Sequence, residues 1–235
     1  THRKLKERGV ECLVVNPSDI PTTHKEKDQK RDPVDSRKIA RCLRAGQLKS
    51  IWIPPITLDQ DRQLIRTRKL LSRDQVRIKN RIKAFLQLHD IKYPIQFQKT
   101  QSHWSKAFIK WLEDIQLKEH SGTEALQSLV RMLKHTRDEL AFFSKRIKTL
   151  SEGNRYHSAH TKLIALPGIG RLTAMTILTE IGDVYRFRKV DNFRSYIGLV
   201  PTSDSSGEKD HNGSITNRKS INLRPLLIEA AWSAI

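Results

Sequence analysis

Residues 124–150 read EALQSLVRMLKHTRDELAFFSKRIKTL, and their apolar positions recur at alternating steps of three and four. Leu126, Leu129, Leu133, Leu140, Phe143, Ile147 and Leu150 make the series, and only Thr136 interrupts it. Such steps keep one side of an α-helix apolar, because 3.6 residues complete a turn. This is the seam of a coiled coil or of an antiparallel helical hairpin. A matching row lies upstream, where Leu64, Leu71, Ile78 and Phe85 recur every seven residues. Residues 58–155 therefore predict a helical stalk, broken between about Ile91 and Ser102, where Pro94 removes a backbone donor.

The stalk is also where the charge sits. The 235 residues hold 44 Lys and Arg against 25 Asp and Glu, a formal net charge of +19, and about half of that surplus falls in residues 58–155. Arg62, Arg66, Lys69, Arg73, Arg77 and Arg81 follow one another at steps of three or four, so they form one stripe along the first stalk helix. A surplus of this size repels itself unless a polyanion is the working partner, and nucleic acid is the obvious one. No lipidation signal or amphipathic Trp/Leu anchor favours a membrane surface, and no apolar run reaches spanning length. Cys12 and Cys42 stand alone without metal-ligand spacing, which suits a reducing compartment. The expectation is a cytoplasmic protein with no membrane contact.

Upstream of the stalk, residues 1–57 predict a strand at Glu11–Val15, a helix from Asp32-Pro33 to about Ala45, and a second strand at Ser50–Ile53. This strand–helix–strand order is that of an α/β crossover unit. Two strands do not make a stable sheet alone, so further strands are expected before Thr1. Downstream, residues 156–235 predict an all-α domain. Leu166-Pro-Gly-Ile-Gly170 turns between two helices, a polar loop runs from Thr202 to Ser214, and a last helix runs from about Thr216 with Leu226, Leu227, Ala230 and Ala231 as its apolar side. That helix ends in mid-pattern at Ile235, so a cut at the carboxy-terminus is expected too.

Three constellations could carry chemistry. Gly168 and Gly170, with Arg171 following, would let backbone amides at a helix start approach a phosphate, as in a helix-hairpin-helix; a plain turn between packed helices is the alternative. Asp32 and Asp35 lie three apart at a helix start, a spacing that suits a divalent cation, although local spacing alone favours capping and the helix dipole. Ser203-Asp-Ser-Ser-Gly207, with Lys209, Arg218 and Lys219 after it, could offer a nucleophilic hydroxyl among cations, or be a flexible connection. His157 and His160 have no partner at ligand spacing and read as helix-surface residues.

These pieces together resemble the insertion-sequence recombinases of the IS110 and IS1111 type. The residues that carry the resemblance are the LPGIG turn at 166–170, EIGD at 180–183, SSG at 205–207 and NLRPLLIEAA at 222–231. VVNP at 14–17, the 30–36 segment KRDPVDS and IWIP at 51–54 add to them. The resemblance implies a RuvC-like, RNase H-type domain with a DEDD carboxylate set, followed by the stalk and a carboxy-terminal serine domain with a helix-hairpin-helix. By match, Asp32 and Asp35 are the last two carboxylates of the set, holding Mg2+, and Ser206 is the nucleophile, with Ser205 as the other candidate. The first Asp and the Glu of the set lie farther upstream in the family. The implied partners are DNA, a guide RNA from the element and further copies of the chain. The nucleic-acid contacts are expected at Arg66, Arg73, Arg77, Gly168, Gly170, Arg171, Lys209, Arg218 and Lys219. The implied function is transposition by DNA strand cleavage and rejoining; the alternative is an inactive remnant that only binds DNA or RNA.

Overall fold

The computed structural model describes residues 2–23, 31–206, 209–216 and 220–235, with the backbone alone described for 203–206 and 209–212. The chain divides after Pro55 into two compact units, Thr1–Pro55 and Ile56–Ile235. The second unit holds both the stalk and the segment after Tyr156, which sequence patterning had separated at residue 155.

In the first unit, α1 spans His2–Glu7 and α2 spans Asp32–Arg44. Acidic residues Asp32 and Asp35 open α2 while Arg41 and Arg44 close it, so charge of each sign lies at the end of the helix dipole that favours it. The backbone turns away at Gly46, whose φ of +64 is the left-handed conformation glycine adopts freely. The two apolar runs meet only in an isolated antiparallel bridge between Val15 and Ser50, with Ile51 N–H donating to the Val14 carbonyl at 2.8 Å. Among the described residues the two runs form no ladder beyond that bridge. The physical reason is visible in burial: Leu13 and Ile51 stay exposed, and a bridge without a further strand or an apolar cover does not extend into a ladder.

The second unit opens with the stalk. Helix α3 (Ile56–Leu88) and helix α5 (His120–Glu152) have 33 residues each, about 50 Å at 1.5 Å per residue. They run antiparallel, since Asp61 near the start of α3 bonds Arg155 just beyond the end of α5. At the opposite end Ile82 and Leu86 share a core with Leu126 and Val130. The apolar seam is therefore the inner face of a hairpin within one chain. Thr136 lies buried in that seam and donates its hydroxyl to the Met132 carbonyl at 2.7 Å, which satisfies it without a partner from across the seam. Where Pro94 breaks the pattern, the tip folds back through helix α4 (Lys106–Asp114), and Phe97, Phe108 and Leu112 close its core.

Beyond the stalk lie α6 (His157–Ile164), α7 (Arg171–Ile181) and α8 (Val190–Ile197). They are followed by an antiparallel hairpin of β1 (Pro201–Ser206) and β2 (Lys209–Ile215), and by α9 (Leu223–Ser233). The all-α expectation is corrected here, because the polar stretch forms a two-stranded hairpin. The last helix also begins at Leu223 rather than near Thr216; Pro225 falls in its first turn, where no backbone donor is missed. Core residues Ile177, Ile181, Ile197 and Leu223 tie α7, α8 and α9 together. Met175, Ile65, Ile147 and Tyr156 bind this layer to the base of the stalk. Among the described residues no helix is long and apolar enough to cross a membrane.

Candidate nucleic-acid interface

The stalk meets the carboxy-terminal helices at one buried carboxylate. Glu180, in the last turn of α7, is 4% exposed. Its oxygens accept from Arg66 Nε at 2.7 Å and from Arg66 Nη2 at 2.8 Å, a bidentate pair. Asn222 Nδ2 donates to Glu180 Oε1 at 2.8 Å, and Lys69 Nζ donates to Asn222 Oδ1 at 2.9 Å. Arg62 lies alongside, with Nε 3.8 Å from Glu180 Oε2, and donates to the Thr179 and Glu180 carbonyls at 2.9 and 3.3 Å. The Tyr196 hydroxyl donates to the same Glu180 carbonyl at 3.1 Å. The hydrogen bond from Arg66 to Glu180 raises the guanidinium pKa further, whereas burial, with Arg73 next, lowers that of Lys69.

The first three members of the basic stripe therefore face protein. Arg73, Arg77 and Arg81, farther along α3, are exposed, and Arg77 pairs with Asp74 at 2.8 Å on the surface. Sequence patterning did not single out Glu180. The available signal was the i, i+4 arginine pair Arg62 and Arg66, which lies next to an apolar row and needs an acid once that row is buried.

The hairpin is carried on the same junction. Asn222 precedes α9; Ser220 N–H donates to the Ile197 carbonyl at 3.2 Å, and Arg224 Nη1 donates to the Thr216 carbonyl at 2.7 Å. Thr216 N–H in turn donates to Val200 at 3.0 Å, closing the base of the hairpin. Gly198, at φ +86, ends α8 in the left-handed conformation and sends the chain into β1. Within the hairpin Thr202 Oγ1 donates to the Ser214 carbonyl at 2.9 Å. A Cβ on Gly213 would collide with that hydroxyl. Ser206 is the last residue of β1 and its backbone pairs with Lys209; Ser205 pairs with Asp210. Arg218 and Lys219 lie outside the described residues.

The LPGIG turn joins α6 to α7, and its two glycines differ. Gly168 has φ +77, and a Cβ there would overlap the Ala230 carbonyl oxygen at the end of α9. Its close approach is to protein backbone. Gly170 precedes α7 with open space around it, and Arg171 after it is exposed. His160 on α6 is buried and corrects the surface reading; Nε2 finds no hydrogen-bond partner among the described residues. Burial, then the nearby Arg171 and His157 charges, lower its pKa. His157 is exposed.

In the first unit Asp32 is the first residue of α2 and is exposed, and Arg31 occupies the cap position without a side-chain capping bond. Asp35 accepts from Lys38 Nζ at 2.7 Å. Among the described residues no three His, Cys, Asp or Glu side chains come together as a metal site. Two carboxylates, one already bonded to an ammonium, do not fit a magnesium ion by themselves.

Comparison with known proteins gives a consistent answer across the chain. The family described as the transposases of IS116, IS110 and IS902 matches residues 160–235, and a DEDD transposase family of IS110 matches residues 2–90. A transposase of Sinorhizobium fredii is 29% identical over 99% of this chain and 55% of its own length. The transposase of insertion sequence element IS1533 of Leptospira borgpetersenii is 28% identical over 98% of this chain and 66% of its own. That of element IS1111A of Coxiella burnetii is 23% identical over 98% and 61% respectively. The chain thus spans between about half and two thirds of the length of these relatives.

Proposed function

From the chain's membership of the IS110/IS116 transposases of insertion sequence elements, we propose that it binds DNA and cleaves and rejoins strands through Ser206. The observation that carries this reading is the placement of Ser206. It ends a strand whose base is hydrogen-bonded to α8 and α9 and, through Asn222 and Glu180, to the basic stalk. A serine carried on such a strand is the kind of nucleophile that attack on a phosphodiester requires. In the step proposed, the serine oxygen displaces a strand oxygen at phosphorus, so a phosphoserine ester forms, one strand bond breaks and the departing oxygen takes a proton. A strand hydroxyl then displaces the serine and restores the phosphodiester.

Arg73, Arg77, Gly170, Arg171 and Lys209 are proposed to contact the phosphate backbone, and Arg218 and Lys219 to join them. Arg66 and Gly168, committed to Glu180 and to α9, act by holding the scaffold. DEDD membership suggests a divalent metal, with Asp32 and Asp35 among its ligands and Mg2+ the ion proposed. These two residues alone do not make up a site among the described residues. A guide RNA and a homo-oligomer belong to the same proposal.

A binding-only reading is favoured by one observation, the Asp35 carboxylate already accepting from Lys38 Nζ at 2.7 Å. Incubation of the chain with labelled element-end DNA, followed by denaturing electrophoresis, separates the two. A covalent adduct that disappears in Ser206→Ala while DNA binding persists supports the recombinase. An adduct that survives the change refutes Ser206 as nucleophile, and binding without any adduct supports the binding-only reading.

A further inference from the structure

A second group of cations lies at the far end of the stalk, about 20 Å along α3 from the Glu180 junction. Its centre is Trp104, one residue before the Ser105 cap of α4. The Trp104 backbone has φ +68, a conformation that a bulky L-residue rarely adopts. Three contacts hold it there. Arg137 Nη1 donates to its carbonyl at 3.1 Å, its ring meets Phe108 edge-on at 5.2 Å, and the Lys79 ammonium lies 5.5 Å from the ring centre.

Lys83 stands one turn beyond Lys79 on the same side of α3. The charged groups that act on Lys79 are Arg137 and Lys83, both cations; with burial as the larger cause, they lower its pKa. No carboxylate figures among them. A contact between one ammonium and an aromatic ring accounts for Lys79 alone. Neither that contact nor the bond from Arg137 to the Trp104 carbonyl offsets the electrostatic cost that three cations in one place impose on one another. At the base of the same helix the fold supplies Glu180 for its cations, whereas the charged groups that act on Lys79 among the described residues are cations.

We propose that Lys79, Lys83 and Arg137, gathered around Trp104 at the stalk tip, form a binding surface for the phosphodiester backbone of a nucleic acid. The surface rests on the DNA-binding reading above and adds a contact separate from the Arg73–Arg77 stripe. Arg77 and Lys79 are two residues apart, so about 200° separates them around the helix axis. Lysines act here as point charges, and the contact reads backbone rather than base sequence. Trp104, fixed by its strained backbone, sets the position of Lys79.

The test measures fluorescence anisotropy of the full chain with a labelled 30-bp DNA duplex, and with a 30-nt RNA, over a range of salt. Lys79→Gln combined with Lys83→Gln should lower the slope of log K against log salt by about 1.8 on duplex and about 1.4 on single strand. The two arms tell which nucleic acid occupies the tip, and a fall in either supports the surface. Slopes unchanged in both, while Arg73→Gln with Arg77→Gln lowers them, overturn this inference and leave the DNA-binding reading standing. A wild-type chain that binds neither probe overturns both. A second readout uses the unaltered protein: amine acetylation at Lys79 and Lys83, followed by mass spectrometry, should fall several-fold in the complex. Equal labelling with and without nucleic acid overturns the proposal even where the variant folds poorly.

Discussion

Removal of the Glu180 carboxylate should destabilise the second unit more than any other single charge change there. Glu180→Ala strips the bidentate partner from Arg66, a 2.8 Å acceptor from Asn222 and the anion beside Arg62, whose side chain is 11% exposed. Breaking a buried ion pair from one side costs about 3–5 kcal/mol, because the remaining charge is left without compensation. Arg66 is 39% exposed, so water recovers part of its solvation and the lower end, about 3 kcal/mol, is expected. For a chain of this size each kcal/mol moves the melting temperature by about 2–4 °C, which predicts a fall of about 6–12 °C. Glu180→Gln keeps the shape and one acceptor and should cost less, about 2 kcal/mol. Circular dichroism melts and urea titrations of both variants, with Arg66→Ala and the Arg66→Ala/Glu180→Ala double variant, complete a cycle. The coupling between the two sites should reach about 1–2 kcal/mol. A loss below about 0.5 kcal/mol for Glu180→Ala, additive with Arg66→Ala, would show that the junction does not hold the unit together.

Three further outcomes follow from the same geometry. Gly168→Ala should cost more than about 2 kcal/mol, since it combines a left-handed backbone with overlap at Ala230, whereas Gly170→Ala has open space and should stay within about 0.5 kcal/mol by denaturant titration. His160 is buried with its folded-state pKa below the ordinary 6.5. The unfolded chain therefore binds more protons than the folded one as pH falls through about 6.5, and stability declines from there downward. His160→Gln should flatten the decline of melting temperature between pH 7 and pH 5, and an unchanged profile would contradict the burial. In DNA binding, Arg73→Gln with Arg77→Gln should lower the salt slope by about 1.8 on duplex; Arg66→Gln should leave the slope alone and show its effect in the melt.

The long helices were legible because their signal is local. The three-and-four spacing of Leu126 to Leu150 and the Pro94 break mark the hairpin and its tip without reference to any other segment. The α2 start at Asp32-Pro33 and the glycine turn at 166–170 are local in the same way. What escaped depends on partners far along the chain. Residues 201–215 are rich in Ser, Asp and Gly and poor in β-branched residues, so nothing in them announces strands. They pair because Val200, Thr216 and Arg224 fix their base. The burial of His160 and Glu180 requires knowing that α6 and α7 pack against neighbours, and neither residue type suggests an interior position. The candidate serine was found by likeness to a family, since its local sequence is that of an ordinary polar connection. The apolar runs at 11–15 and 50–53 misled for the opposite reason: their composition suits strands, and a ladder also needs neighbours that these residues do not supply to one another.

Helix α3 shows why a charge count and a charge map lead to different conclusions. Its cations are equivalent in composition, but folding sorts them. Around Glu180, Arg62 and Arg66 meet a carboxylate and backbone carbonyls, and Lys69 meets Asn222, so their donors are engaged within the fold. Beyond about Ser72 Asp74 pairs with Arg77 on one flank, and among the described residues the charges acting on Lys79 on the other are Arg137 and Lys83. On the proposed reading the outer half of the stalk offers its cations to a polyanion, while the inner half couples the stalk, through Asn222, to the segment that carries the hairpin. In that proposal a phosphate backbone drawn to the outer half and one presented to the hairpin are connected through helix α3. Weakening the Glu180 junction should consequently impair any chemistry at the hairpin more than it impairs DNA affinity, and a loss of affinity equal to the loss of chemistry would argue against that division.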